Sequence, residues 1–232
     1  MIFGFIGSVF SAACSVVSGV CSAVGSIGSA FSSFVSGVGL ALTDVLMTNN
    51  PMAELLSKLV TTVMQALGII EKEEKVEDIG ERALQAKEQG ITPEKFENFE
   101  EYMQKLRDFE IDPEKSEKRN PVEKLMAGLA VTNARAEEKL GVEKGSLNSI
   151  WVLPIANPEY FTADRMESLM TSGRLGGDSL KYLEKNLSGA ESRAFEKSLE
   201  IDVKDTGTLY EALDKARTDW AALSRASQQG GV

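Results

Sequence analysis

The pattern of apolar and polar positions divides the chain near residue 50 into two parts of different character. Residues 2–43 repeat every seven positions, in the blocks IFGFIGS, VFSAACS, VVSGVCS, AVGSIGS, AFSSFVS and GVGLALT. Large apolar residues recur at spacings of three and four, which is the pattern of one helix face that packs along a partner. The repeat therefore predicts a long apolar helical arm, or a helical hairpin, over residues 1–48.

Two sets of arm residues are the candidate functional residues. The apolar seam, the set of large apolar residues on one face, contains Phe3, Ile6, Phe10, Val17, Val20, Val24, Ile27, Phe31, Phe34 and Val38. The hydroxyl stripe, the set of small and hydroxylic residues beside it, contains Ser8, Ser15, Gly19, Ser22, Gly25, Ser29, Ser36 and Thr43. Small residues let helix backbones approach closely, and hydroxyl groups form hydrogen bonds between helices in lipid. We expect the seam to face lipid or partner helices, and the stripe to face helix contacts or a narrow water-filled lumen.

The length of the arm favours two membrane spans over one. About 20 helical residues cross a bilayer, so forty-two residues are enough for a hairpin of two spans. The first Lys is Lys58, so the arm lacks the positive start of an ordinary secretory signal. Three other interpretations stay open at this point: a low-complexity Gly/Ser linker, a buried core hairpin, and an arm that assembles with other copies.

The segment from residue 52 to 232 predicts an acidic body of several helices, with a possible subdivision near 112–120. Apolar residues recur at helical spacing after Pro51, and Thr92-Pro93 and Asn120-Pro121 are typical helix starts. Thr162, Asp178 and Thr208 are further predicted caps, and only residues 149–153 are compatible with a short strand. The predicted fold class is therefore all-α: a Gly/Ser-rich apolar arm followed by an acidic multi-helix body.

Charge and composition exclude several functions. The net charge is −10, and Asp44 is the only charged residue among the first fifty. An acidic chain is a poor ligand for nucleic acid, and any membrane binding is expected from apolar burial. The chain has no His, which removes the commonest general base and metal ligand. We therefore predict a protein that is not an enzyme, with no catalytic residues, no metal and no cofactor.

Four other features receive structural interpretations. The Glu- and Lys-rich run from 71 to 88 is expected to be a solvated helix face, too polar for buried catalytic carboxylates. The loop 173–178 is expected to end one helix and cap the next.

Cys14 and Cys21 lie seven residues apart on one helix face, too far to bridge each other. Residues 151–161, rich in Pro and aromatic side chains, are expected to pack in the core.

The uncharged Gly/Ser/Ala arm with small-residue ladders, followed by a helical body without catalytic motifs, resembles the small membrane-active effectors of bacterial type VI secretion systems. It is also similar, more weakly, to ejection proteins of tailed phages. The resemblance covers mainly residues 2–70. It rests on the general composition and pattern of this segment and not on a diagnostic motif, so no functional residue is carried over. It implies synthesis in the bacterial cytoplasm without a Sec signal, export by a contractile machine, and insertion into the inner membrane of a target cell.

The sequence therefore predicts a pore-forming toxin that depolarises the target membrane. Its expected partners are the lipid membrane, further copies of itself, a secretion carrier or chaperone, and an immunity protein. The alternative prediction is a structural or ejection component of a phage or contractile injection machine, which assembles through the heptad arm.

Overall fold

The structure, a computed structural model, describes the backbone of residues 3–201 and 206–230 and the side chains of residues 15–201 and 207–229. Helices, turns and loops account for all of the described backbone, and no strand occurs within it. The predicted all-α class is confirmed.

The arm folds as a helical hairpin. The first hairpin helix is α1 (Phe3–Ile27), and the second runs over Ser29–Thr48. The second helix is irregular: a 3₁₀ turn (Ser29–Phe31) leads into α2 (Ser32–Phe34), a π-helical turn (Val35–Gly39) and α3 (Leu40–Thr48). Gly28 separates the two helices in an extended conformation. The heptad pattern thus correctly predicts helix, and the interpretation as a flexible Gly/Ser linker is wrong for the described residues.

The body consists of helices of very different length. Its long members are α4 (Asn50–Ala66), α5 (Val76–Glu88), α8 (Pro121–Leu140) and α13 (Thr206–Gly230). Shorter helices are α6 (Phe99–Arg107), α7 (Pro113–Lys118), α9 (Val152–Ala156), α10 (Ala163–Thr171), α11 (Ser179–Leu183) and α12 (Gly189–Ser198), and a 3₁₀ turn covers Pro93–Lys95. Helix α8 contacts α1, α3, α4, α5 and α6, whereas α13 packs against α3, α9 and α11.

Several predicted helix starts are confirmed by their cap hydrogen bonds. The side chains of Asn120, Thr162 and Asp178 each accept a backbone N–H of the helix that follows. Such a side chain supplies the acceptor that the first turn of a helix lacks. Asn49 caps α4 in the same way.

Two predicted helix starts are wrong, and the one segment compatible with a strand does not form one. Thr92-Pro93 opens only a 3₁₀ turn, and the helix begins at Phe99 after a cap by Asn98. Residues 149–153 form turns and the start of α9 instead of a strand, because an isolated strand has no partner for its backbone hydrogen bonds. Thr208 lies inside α13, which already includes Thr206.

Two glycines bring α5 and α8 into close contact. A Cβ on Gly80 would lie 1.9 Å from the carbonyl oxygen of Lys124, and one on Gly128 would lie 1.8 Å from that of Val76. Both distances are far inside van der Waals contact, so only hydrogen fits at these positions. This crossing holds the two central helices of the body together.

The acidic run is more buried than its composition predicts. Glu81 of α5 is 1% exposed, and its carboxylate lies 3.1 Å from Arg119 Nε and 3.9 Å from Lys124 Nζ. The expectation that this run is too polar to be buried is therefore wrong at Glu81. The buried carboxylate is paired with cations, as burial of a charge requires, and it joins α5 to the start of α8.

Candidate membrane segment: a helical hairpin packed on the body

The two hairpin helices contact each other directly. Cys21 Sγ of α1 lies 3.8 Å from Thr43 Oγ1 of α3, and both residues are buried. A Cβ on Gly25 would lie 3.8 Å from a methyl carbon of Val35. Cys21 is a free thiol, and burial raises its pKa although its hydrogen bond with Thr43 acts in the opposite direction. It fills the position of a small apolar residue between the two helices. The side chain of Cys14 lies outside the described residues.

The apolar seam is part of the protein's own hydrophobic core. Six seam residues are at most 3% exposed and belong to one buried cluster with body residues: Val20, Val24, Ile27, Phe31, Phe34 and Val38. Val17 is half-buried, and the side chains of Phe3, Ile6 and Phe10 lie outside the described residues. The ring of Phe31 packs edge-on against Phe99 of α6, with 6.1 Å between the ring centres. In this conformation the seam faces the body, as a buried core hairpin would.

The hydroxyl stripe faces solvent along most of its length. Ser15, Gly19, Ser22, Ser29 and Ser36 are exposed, Gly25 is half-buried, and Thr43 is buried beside Cys21. The side chain of Ser8 lies outside the described residues. The exposed side of the hairpin carries no charge between residues 15 and 43. The structure thus separates the two predicted sets, with the seam inside and the stripe outside.

Several hairpin hydroxyls are satisfied within their own helix. Ser26 Oγ donates to the carbonyl of Ala23 at 2.7 Å, and Ser32 Oγ donates to that of Ser29 at 2.8 Å. Thr48 Oγ1 makes the same kind of bond to Asp44 at 3.1 Å. A hydroxyl bonded in this way needs no water partner, so these side chains remain satisfied in an apolar medium.

A carboxylate of the body holds the turn of the hairpin. Glu94 Oε1 accepts the backbone N–H of Ser29 at 2.5 Å and its hydroxyl at 2.8 Å. Gly28 has no side chain that could cap the second helix, so Glu94 supplies the missing acceptor from outside the hairpin. A Cβ on Gly28 would lie 2.8 Å from Glu94 Oε1 and 2.9 Å from a ring carbon of Pro93. Glycine is therefore required here for close approach.

The hydrogen bonds to Glu94 stabilise its charged form. Partial burial acts to raise the pKa of this carboxyl group, but bonds from its own backbone N–H, from Ser29 and from Thr92 together outweigh burial. The pKa of Glu94 therefore lies below its ordinary value of 4.5.

A second body loop contacts the same end of the hairpin. Asn148 Nδ2 donates to Ser33 Oγ at 3.4 Å. This loop is fixed by Glu137, 4% exposed, whose carboxylate accepts the backbone N–H groups of Gly145 at 2.8 Å and Leu147 at 2.9 Å. Burial raises the pKa of Glu137 despite those bonds.

The opposite end of the hairpin is held by the C-terminal helix. Ser227 Oγ of α13 donates to Asp44 Oδ2 at 2.5 Å, so the single charge of the arm has a partner on the body. Helix α13 also packs along α3. The hairpin is thus attached by polar contacts to Glu94, Asn148 and Ser227, in addition to its apolar seam.

The second hairpin helix has the dimensions of a membrane span. Within the described part of the chain, Ser29–Thr48 is the one helix that is both long enough and apolar enough to cross a bilayer. A core helix of a soluble protein passes the same test, so length and composition alone do not separate the two. Helix α1 has 25 residues, and the part of it whose side chains are described, Ser15–Ile27, is also apolar.

The residues that hold the hairpin, Glu94, Asn148 and Ser227, cannot be identified from the sequence alone, because they lie far from the arm along the chain. Glu94 is separated from Ser29 by 65 positions and Ser227 from Asp44 by 183. The Thr92-Pro93-Glu94 turn was visible only as a helix start. No periodicity in the chain relates these residues to the hairpin, so only the folded structure identifies them.

Other chemistry is sparse in the described residues. Among them, no group of three or more Cys, Asp or Glu side chains is placed to hold a metal ion. An open cleft of about 660 Å³ beside the hairpin turn is lined by Phe96, Phe99, Glu94 and Glu138, among others. No protein-family profile, curated protein or solved structure matches the chain.

Proposed function

We propose that the protein is a membrane-inserting, pore-forming effector whose hairpin is shielded by the body before insertion. The observation that carries the proposal is the hairpin itself: two helices in direct contact whose only charged residue is Asp44, the second of membrane-spanning length, attached to the body by an apolar seam and few polar contacts. The resting form is water-soluble because the seam is buried and the body is acidic.

Release of the hairpin exchanges one apolar environment for another. Seam residues buried in the core are already out of water, and lipid tails are as apolar as a protein interior. For the seam itself, transfer from core to lipid is therefore opposed only weakly by the hydrophobic effect. The apolar face of the body that the seam covers favours the docked state unless lipid or another copy covers it in turn, and the polar contacts to Glu94, Asn148 and Ser227 add to the threshold for release.

In the inserted state the hydroxyl stripe supplies the contacts between helices. Its small residues permit close packing of several hairpins, and its hydroxyls line the contacts or a narrow lumen. A homo-oligomer of this kind conducts ions and depolarises the target membrane. Delivery by a type VI secretion machine, with a carrier and an immunity partner, is the cellular setting that the resemblance of the arm implies.

A disulfide between the hairpin and the body tests the proposal. An ideal Cβ on Gly145 lies 3.9 Å from Cβ of Ser33, within the range of roughly 3.5–4.5 Å for a disulfide. The variant Ser33→Cys/Gly145→Cys, in a background without Cys14 and Cys21, should lock the hairpin turn to the body. Leakage of a dye from liposomes is measured before and after reduction, and each single-cysteine variant is the control.

The proposal expects the oxidised variant to leave liposomes intact and the reduced variant to permeabilise them. The Gly145→Cys control is needed because Gly145 has φ +85°, a conformation that favours glycine. Equal leakage from the locked and reduced protein would show that the hairpin does not need to leave the body. Absence of leakage in both states, with oligomers formed in solution, would favour the rival assembly component of a phage or injection machine.

A further inference from the structure

A basic groove lies on the acidic body between the end of α11 and helix α13. It has a volume of about 550 Å³ and is lined by Lys185, Arg217 and Arg225, with Glu184 as the acidic residue at its edge. These lining residues carry three positive charges and one negative charge, a local balance of +2. The whole chain has a net charge of −10, so the groove reverses the sign of the surrounding protein.

The guanidinium of Arg217 is held rigidly at the groove. Its central carbon lies 3.9 Å from the centre of the Tyr182 ring, in a cation–π contact. The tyrosine is fixed in turn, since its hydroxyl donates to Glu196 at 2.8 Å. Asp214 approaches Arg217 Nη1 only to 3.7 Å, which is too long for a good hydrogen bond. Arg217 thus keeps donor capacity for another acceptor.

Two buried donors on groove residues have no acceptor in the described structure. Arg217 Nε and Trp220 Nε1 are both buried and form no hydrogen bond there, and Trp220 is 2% exposed. Buried N–H groups are nearly always paired in folded proteins. These two donors lie three residues apart on α13, and the other two groove cations are Lys185 and Arg225. Together they indicate a site for a ligand with several acceptor oxygens.

The loop that carries Lys185 has an unusual backbone. With φ 60°, Lys185 is the only residue other than glycine with positive φ in the described ranges 3–201 and 206–230. It is the left-handed residue that ends α11: the backbone N–H groups of Lys185 and Asn186 donate to the carbonyls of Tyr182 at 3.1 Å and Lys181 at 2.7 Å. The conformation places Lys185 at the groove opposite Arg217 and Arg225.

We propose that this groove binds the phosphate group of an anionic phospholipid. Phosphate offers the negative charge and the oxygens that guanidinium, ammonium and indole N–H groups recognise. The choice of a lipid source rests on the proposed function: α13, which lines the groove, also holds the membrane hairpin through Ser227 and Asp44. Because α13 both lines the groove and holds the hairpin, binding of a lipid headgroup at the groove places the hairpin close to the membrane surface.

The test uses a variant pair matched in charge. Arg217→Gln/Arg225→Gln removes two groove cations, and Arg193→Gln/Lys197→Gln removes two exposed cations from α12. Binding is measured by co-flotation with vesicles of phosphatidylcholine alone or mixed with phosphatidylglycerol. The locked Ser33→Cys/Gly145→Cys protein, oxidised, serves as the background, so failure of hairpin insertion cannot be mistaken for failure of the groove.

We expect binding only to vesicles that contain phosphatidylglycerol. Each cation near an anionic surface contributes about five-fold in affinity, so the groove variant should bind about thirty-fold more weakly, and the α12 variant within two-fold of the parent. Titration with short-chain phosphatidylglycerol should change the tryptophan fluorescence, and Trp220→Phe should abolish that change while circular dichroism confirms the fold.

Two results would overturn the inference. Equal weakening by both charge variants would mean non-specific attraction. A response to inorganic phosphate as strong as the response to the short-chain lipid would assign the groove to the free ion, and the lipid proposal would be abandoned.

Discussion

Removal of the Glu94 side chain should weaken the attachment of the hairpin without affecting the body. Glu94→Ala deletes the acceptor of two hydrogen bonds, from the backbone N–H and the hydroxyl of Ser29, at 2.5 and 2.8 Å. Glu94 is otherwise exposed, so the substitution creates no cavity in the core. The backbone N–H and the hydroxyl of Ser29 then form hydrogen bonds with water instead.

The magnitude follows from the cost of losing a helix cap. Replacement of a capping side chain by alanine costs about 1 kcal/mol, which corresponds to a roughly five-fold increase in the population of the released hairpin. Glu94→Gln keeps an acceptor oxygen and loses only the charge, which is worth about 0.5 kcal/mol at a helix N-terminus. We therefore expect a graded series, with about two-fold more release for Gln and about five-fold for Ala.

A cysteine placed in the seam reports on release. Val24 is 1% exposed in the buried cluster that the hairpin shares with the body, so in a Val24→Cys variant a thiol reagent reacts only after the seam leaves the body. The labelling rate is measured in a background without Cys14 and Cys21 at low denaturant, where opening precedes labelling. Glu97→Ala is the matched control, because Glu97 is also an exposed carboxylate three positions away.

The effect should depend on pH with a defined sign. The pKa of Glu94 lies below 4.5 in the folded protein, so its contribution is complete above the unfolded pKa and is lost as the pH falls through the lower folded value. The difference between wild type and Glu94→Ala should therefore be constant near neutral pH and fall in acid towards the difference between Glu94→Gln and Glu94→Ala, because the protonated carboxyl group keeps an acceptor oxygen. Labelling rates of Glu94→Ala that match those of wild type and Glu97→Ala would refute the argument.

Three further predictions concern other parts of the fold. Leu40 is 47% exposed in the middle of the second hairpin helix, so Leu40→Asp should leave the fold in solution unchanged. The same variant should no longer cause leakage from liposomes, because an ion at the bilayer centre costs about 3 kcal/mol. Leu40→Ser is the control. Gly128→Ala should lower the free energy of unfolding by about 3 kcal/mol through overpacking, whereas Gly19→Ala, open to solvent, should be neutral or stabilising in chemical denaturation. Ser227→Ala should cost about 1 kcal/mol and increase hydrogen exchange in α13 and α3.

The structure changes which substitutions can test insertion. A charge at Val20 would be expected, from the heptad repeat alone, to leave the body folded and to block insertion. Val20 is 3% exposed in the hydrophobic core, so Val20→Asp would also bury an unpaired carboxylate and destabilise the resting protein. Leu40 and Ser22 are exposed, and substitutions there separate the effect on insertion from the effect on folding.

Local patterns in the sequence determined the secondary structure of this protein. The seven-residue repeat specifies helices with one apolar face, and Asn49, Asn120, Thr162 and Asp178 specify helix starts, because periodicity and capping act over a few residues. The division between an uncharged arm and an acidic body was equally visible, since it is a property of composition.

Only the tertiary structure decided what the apolar seam faces. Lipid, another copy and the protein's own core all accept the same side chains, because the hydrophobic effect has no direction and does not distinguish one apolar surface from another. The choice depends on long-range contacts: Glu94 at Gly28 and Ser29, Ser227 at Asp44, and a body core that continues into the hairpin. The burial of Glu81 was decided in the same way, because its cation, Arg119, lies 38 positions away on another element.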